Sequence, residues 1–205
     1  MKRSRTLPAC SWAARAAAVI VATLAPSDVS AGTPLAVLLE CSRGPSRQTY
    51  HVTANVPDRV AQGERYTVRV DGGPSGTISH VGLRYIHEIT TEFLVPAGTG
   101  YVSGSLRLVP GTGTANVASG ARVEKRGNML RLILPARVVS GTGYTAPSIE
   151  LQLVATARPG DELSIQFQSS RVKANAFLVG DVVAACTPRP QPYTLATSTV
   201  AARRR

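Results

Sequence analysis

The sequence predicts an all-β fold, a single antiparallel β-sandwich, on three observations. Apolar and polar residues alternate with period two in several segments, the pattern of strands with one face in a core and the other in water. Turn signals rich in glycine and proline separate these segments at the short spacing of a sandwich. No segment after residue 31 carries a helical period. The chain has 205 residues, enough for one domain of ordinary size with a real core and a targeting segment ahead of it.

Along the chain, residues 1–31 read as a secretory signal peptide. Lys2, Arg3 and Arg5 make a positive start, Ala16 to Ala25 an apolar stretch, and "VSA" a small-residue end at Ala31. The apolar stretch is about half of the roughly 20 residues a membrane-spanning helix needs. The exported chain is therefore expected to start at Gly32 and to carry no transmembrane helix. Residues 32–187 form the sandwich domain, with first strands at 36–41 and 49–56. In "RYTVRVD", Tyr66, Val68 and Val70 face one way and Arg65, Thr67, Arg69 and Asp71 the other. Strands follow at 83–95, 101–109 and 129–135, with "EKRGNML" turning at Gly127 and Asn128 between strands that end near Val123 and restart at Met129. "SIELQLVA" sends Ile149, Leu151 and Leu153 inward against Ser148, Glu150 and Gln152. "ARPGDE" sets Pro159 and Gly160 at the centre of a type II turn, read as a hairpin corner. "ELSIQFQ" then buries Leu163, Ile165 and Phe167, and a last strand is expected at 171–186. The result is an immunoglobulin-like or related sandwich of about eight to ten strands, with a closed barrel around a ligand cavity as the alternative. Residues 188–205, rich in Pro, Ser and Thr and ending in arginines, read as a flexible basic tail.

Removing residues 1–31 takes away four basic residues, Lys2, Arg3, Arg5 and Arg15, and one acid, Asp28, lowering the formal charge from +11 to +8. Most of the positive charge is arginine, and Arg203, Arg204 and Arg205 make a basic run suited to an anionic surface. Such a charge draws an exported protein to anionic envelope polymers or lipid headgroups by salt-sensitive attraction. No basic helix or Cys/His finger spacing points to nucleic acid. Once Cys10 leaves with the signal, Cys41 and Cys186 remain. An even pair in an oxidising compartment reads as a disulfide.

Gly-Thr-Gly occurs at 98–100, 111–113 and 141–143. A dinucleotide loop needs G-x-G-x-x-G between strand and helix, and a P-loop ends in Lys-Ser or Lys-Thr, because the helix N-terminus and the lysine hold the phosphates. The first and third copies run into alternating segments, and no copy is followed by a lysine in place. All three therefore read as tight corners.

The search for chemistry gives no catalytic residue, no metal site and no cofactor. The chain has three histidines, His51, His80 and His87. His87 falls on the phase of Leu83, Tyr85, Ile89 and Phe93, as a core or sheet-edge histidine does. His80 and His87 with Glu88 and Glu92 make the one polar grouping worth testing, although opposite strand phases separate the two histidines. "GYVSGS" lacks the spacing of a serine elbow, and "SRVK" lies in a strand rather than the helical turn that would set Lys173 beside Ser170. Glu88, Glu92, Glu124 and Glu150 leave carboxylate-pair hydrolysis open, but the exported chain has no tryptophan to platform a sugar.

A leader-like N-terminus, a cysteine soon after it, alternating strands around "VPAGTGYVSGSL" and a second cysteine in "AACTP" make the chain resemble a group of small secreted β-sandwich proteins of actinobacteria, some of them called dehydratases or cyclases. The likeness covers most of residues 36–187. It implies export, a disulfide between the terminal cysteines and a sandwich, and it carries over no active-site residue. The function expected is that of an exported, non-catalytic binding or structural module of the cell envelope or extracellular space. Its partner would be an anionic polymer, a lipid or another envelope protein. A carrier of a lipid or other hydrophobic ligand, with a cavity between the sheets, is one alternative and a secreted hydrolase another.

Overall fold

The computed structural model describes residues 32–43, 47–109 and 120–203. The signal-peptide reading, the Gly-Thr-Gly copy at 111–113, and Arg204 and Arg205 lie outside the described residues. Within them the chain forms β1 (Leu35–Cys41), β2 (Arg47–Asn55), β3 (Arg59–Ala61), β4 (Arg65–Gly72), β5 (Leu83–Leu94), β6 (Thr99–Tyr101) and β7 (Arg107–Leu108). It continues with β8 (Arg122–Arg126), β9 (Met129–Val139), β10 (Ile149–Ala155), β11 (Glu162–Ala176), β12 (Gly180–Pro188) and β13 (Tyr193–Ala201). The fold is all-β, and among the described residues no helix is long and apolar enough to cross a membrane.

The hydrogen-bonded order is β6-β10-β4-β2-β1-β12-β11-β5-β9-β8, with β7 beside β10 and β13 beside β11 and β3. The pairs are antiparallel except β3–β13, which is parallel. Strands β10, β4, β2 and β1 make one layer of the sandwich, and β12, β11, β5, β9 and β8 the other. Rungs from Leu39–Pro188 to Cys41–Cys186 join the layers along one edge. The outermost strands, β6 and β8, share no rungs, so the described strands form a sandwich and not a closed barrel.

Alternation places the core as the sequence implies. Tyr66, Val68 and Val70 of β4, Ile149, Leu151 and Leu153 of β10, and Leu163, Ile165 and Phe167 of β11 are all buried. Each buried large side chain contributes roughly 1.5–3 kcal/mol. Phe167 joins the layers: its ring centroid lies 5.3 Å from that of Tyr50 on the facing sheet and 5.7 Å from that of Phe93 on its own. Cys41 and Cys186 are opposite each other in register and are disulfide-bonded across a separation of 145 residues. Closing so long a loop restricts the unfolded chain by up to about 5 kcal/mol.

Five local expectations are corrected. The expected flexible tail at 188–205 contains a strand among its described residues: β13 pairs with the first half of β11 and with β3, burying Leu195, Ser198 and Val200. Threonine and valine fit a pleated surface, and the edge of β11 offered unpaired groups to fill. Residues 171–186 are two strands, the end of β11 and most of β12, folded back on each other. Residues 101–109 split into β6 and β7, which together with β3 and β13 raises the count to thirteen strands among the described residues. Gly160 takes φ +95° and the Asp161 N–H donates to the Arg158 carbonyl at 3.0 Å, as the turn required. That turn, however, carries the chain from β10 in one layer to β11 in the other, so it is not a hairpin. Finally, Ser148, expected outward, is buried.

The β8–β9 hairpin forms at Gly127–Asn128, with Arg126 opposite Met129. Only Gly127 takes positive φ, +60°, which is the glycine position of a type II′ turn.

Candidate functional site

Three strands of one layer end together. Leu83 of β5 lies opposite Ala176 of β11, which lies opposite Gly180 of β12. The β11–β12 hairpin turns through Phe177, Leu178 and Val179, and both Leu178 and Gly180 take φ +72°. A left-handed backbone costs a leucine about 1–2 kcal/mol, a cost that glycine or asparagine largely avoids. These tip side chains are in water: Phe177 is 63%, Leu178 94% and Val179 72% exposed. Val81 joins them at 95% exposure from the loop before β5, where the Phe177 N–H donates to the Gly82 carbonyl at 2.6 Å.

Behind this rim a cleft opens between the layers. One wall is the loop of residues 73–82, zipped to residues 140–147 by bridges at Pro74–Thr145 and Ile78–Thr142. The Tyr144 N–H donates to the Ser75 hydroxyl at 2.9 Å, and the Ser75 N–H to the Tyr144 carbonyl at 2.9 Å. Here the third Gly-Thr-Gly finds its use. Gly141 turns at φ +89°, and a Cβ on Gly143 would sit 2.3 Å from the Gly76 carbonyl oxygen. The first copy is likewise a corner, with Gly98 at φ +77°.

The outer chamber, about 270 Å³, is lined largely by Leu83, Ile86, Ala174, Phe177, Val179 and Val182. An inner chamber of about 260 Å³ reaches Tyr50, Tyr144 and Cys186, and the two share Gln48, Ile78, Ile86 and Val172. Burial pushes the Tyr50 hydroxyl up to about 12, against the opposing effect of its hydrogen bond with Thr91. Burial raises Tyr144 as well, with further help from Tyr50. Both phenols stay protonated at neutral pH, so the floor of the cleft can hydrogen-bond a guest but offers it no base.

The charge at this end is positive. Arg43 and His80 line the outer chamber, Arg47 lines the inner one, and Arg84 is exposed at the start of β5. None of these arginines has a carboxylate within ion-pair distance among the described residues. The nearby acid is Asp181, which accepts from Asn175 at 2.9 Å and lies 3.9 Å from His87 Nε2.

The polar grouping expected from sequence does not converge. His80 lines the cleft, whereas Glu88 and Glu92 point from β5 to the outer face of the sheet. His87 is skipped by both neighbouring strands: β11 and β9 pair with Ile86 and then Glu88. This bulge reverses the alternation, so Ile86 is buried before it and Ile89, Thr91 and Phe93 after it, and His87 sits half-exposed with its ring edge-on to Tyr85. Glu88 meets Lys173 at 2.8 Å, and the hydrogen bond from that ammonium holds its carboxyl below the usual range. Glu92 accepts from Ser169 at 2.8 Å and pairs with Arg131 at 3.2 Å. Glu124 is held low by Arg122 and then Arg126, and Glu150, on the other layer, pairs with Arg107 at 2.6 Å. The pairs of Glu88, Glu92 and Glu150 are cross-strand ion pairs of a solvated sheet, and those of Glu124 run along β8. His51 is exposed on β2. Among the described residues no three His, Cys, Asp or Glu gather as metal ligands. Arg203 is exposed just beyond β13, at the far end from the cleft.

In sequence, residues 171–186 read as one strand, and that hides the apolar rim. The signal was there: in "ANAFLVGDVV" three consecutive apolar residues break the alternation and a glycine follows.

No family model matches the chain, and no curated protein matches it. Among solved structures, a cohesin module from a family 33 glycoside hydrolase of Clostridium perfringens is similar over 76% of this chain and 99% of its own, with 10% identity and a TM-score of 0.38. A collagen-binding domain from a Staphylococcus aureus adhesin is similar over 74% of this chain and 96% of its own, at 12% identity and a TM-score of 0.37. A membrane-anchored protein from Corynebacterium diphtheriae is similar over 84% of this chain but only 38% of its own, at 13% identity and a TM-score of 0.43.

Proposed function

We propose that the chain is an exported, non-catalytic binding module of the cell envelope or extracellular space, and that it meets its partner through the open end of the sandwich. The observation that carries this reading is the apolar rim: Val81, Phe177, Leu178 and Val179 stand 63–95% exposed around the mouth of a cleft. Large apolar side chains clustered in water mark contact surfaces. The leader-like order of residues 1–31 and the Cys41–Cys186 disulfide support an oxidising, extracytoplasmic setting. The test is capture of the purified protein by an envelope fraction. The double substitution Phe177→Ser with Leu178→Asn is expected to weaken capture by about tenfold or more, the effect of withdrawing two large apolar contacts. Unchanged capture contradicts the reading.

A second reading, a carrier of a hydrophobic ligand, is favoured by the largely apolar outer chamber between the layers, which adjoins a more polar inner one. Native mass spectrometry of the purified protein decides it. A retained lipid of defined mass supports the carrier, and a bare polypeptide mass speaks against it.

A further inference from the structure

We infer that the partner of the open end is a lipid bilayer surface bearing anionic headgroups, into which the Phe177–Leu178–Val179 tip inserts beside Val81. This inference rests on the proposed contact end and adds the chemistry of the partner. Three features favour a bilayer over a protein. The first is shape. A stable protein interface buries about 800 Å² per partner from roughly 20–30 residues a side, whereas this apolar surface is four side chains at the apex of a three-residue hairpin turn and one adjoining loop. A projecting apex of that size matches the about 5–10 Å to which apolar side chains enter the headgroup boundary of a membrane.

The second feature is charge. Arg43 and Arg84 stand at this end with no carboxylate partner among the described residues, and with Arg47 they outnumber the nearby acid, Asp181. Cations beside an apolar apex are placed to meet anionic headgroups while the apolar side chains go past them. The third is the backbone. Leu178 holds φ +72°, which asparagine adopts at lower cost, so what the tip gains from leucine is its apolar side chain and not its conformation. The Phe177 N–H is already satisfied by the Gly82 carbonyl, so inserting the tip does not strip water from that donor.

The experiment is co-sedimentation of the full chain with vesicles of phosphatidylcholine containing phosphatidylglycerol, against vesicles of phosphatidylcholine alone. The wild type and the Phe177→Ser/Leu178→Asn variant are compared in parallel, so that any contribution of residues 1–31 is common to both. Binding to the anionic vesicles is expected, weakened as salt rises and reduced about tenfold or more in the variant. The single substitution Leu178→Asn guards against misfolding as the cause, because it relieves strain and should leave the melting temperature unchanged or raised while binding falls. If neither vesicle binds the wild type, yet delipidated envelope material captures it and not the variant, the lipid assignment is overturned and the contact end stands. If the variant sediments with vesicles and envelope as the wild type does, both fail. A wild-type dimer that Leu178→Asn dissociates gives the tip to a second copy of the chain and likewise overturns the bilayer.

Discussion

The two ends of strand β11 (Glu162–Ala176) use the same backbone conformation with opposite side-chain choices. At its start, Gly160 takes φ +95° in a turn whose groups are nearly all paired. The Arg158 N–H donates to Asp161 Oδ2 at 2.9 Å, the Gly160 N–H to the Val200 carbonyl at 2.8 Å, and the Val200 N–H to the Asp161 carbonyl at 2.9 Å. Ser198 donates from a buried hydroxyl to the Pro57 carbonyl at 2.6 Å. Charge there is mixed, with Asp58, Glu64, Asp161 and Glu162 among Arg59, Arg65, Arg158 and Arg203. At the other end Leu178 takes positive φ as well as Gly180, three apolar side chains stand in water, and Asp181 is the acid near Arg43, Arg47 and Arg84. One end is closed as a folded chain closes itself. The other leaves in water an apolar surface of the kind that a partner covers under the proposed function.

The largest expected effect belongs to neither end. Reducing the disulfide, or replacing Cys41 and Cys186 with serine, should lower unfolding free energy by up to about 5 kcal/mol, read as a shift in urea midpoint. A fall of similar size on replacing Val81, in the open rim, would break the comparison, since a side chain 95% exposed should change stability by no more than about 0.5 kcal/mol. Next comes the closed end. Gly160→Ala forces a side chain into a left-handed turn and should destabilise by about 1 kcal/mol or more, seen as a lower melting temperature with envelope capture intact.

The smallest effect lies on the outer sheet. Glu88 titrates below its ordinary value because Lys173 bonds it. Its contribution is therefore complete above the unfolded value of about 4.3 and is lost as pH falls through the lower folded value. Both partners are part-exposed, so the step is under about 1 kcal/mol. Urea midpoints taken across that acid range should show the step in the wild type and lose it in Lys173→Met.

How far the sequence reached follows the same division. Period-two segments with one solvated face, such as β4 (Arg65–Gly72) and β10 (Ile149–Ala155), were legible because burial alone decides them. The disulfide was legible from two cysteines and a compartment. Residues 83–94 were legible as a strand but not in phase, since a bulge at His87 is a register event fixed by two neighbouring strands. β13 (Tyr193–Ala201) was hidden because its composition suits a tail until the edge of β11 is present to pair with it. The candidate site was the least legible part. It consists of residues that break the folding pattern, and in a one-dimensional reading Phe177–Leu178–Val179 looks like more strand.

The most direct measurement is made on one protein, Leu178→Asn, with melting temperature and envelope capture read from the same preparation. Relief of about 1 kcal/mol of backbone strain should raise the melting temperature by roughly 2–4 °C in a domain of this size, while loss of an apolar contact should weaken capture. A higher melting temperature with weaker capture is the expected result. A lower melting temperature with capture unchanged would mean that Leu178 serves the fold and that the open end is not where this protein meets its partner.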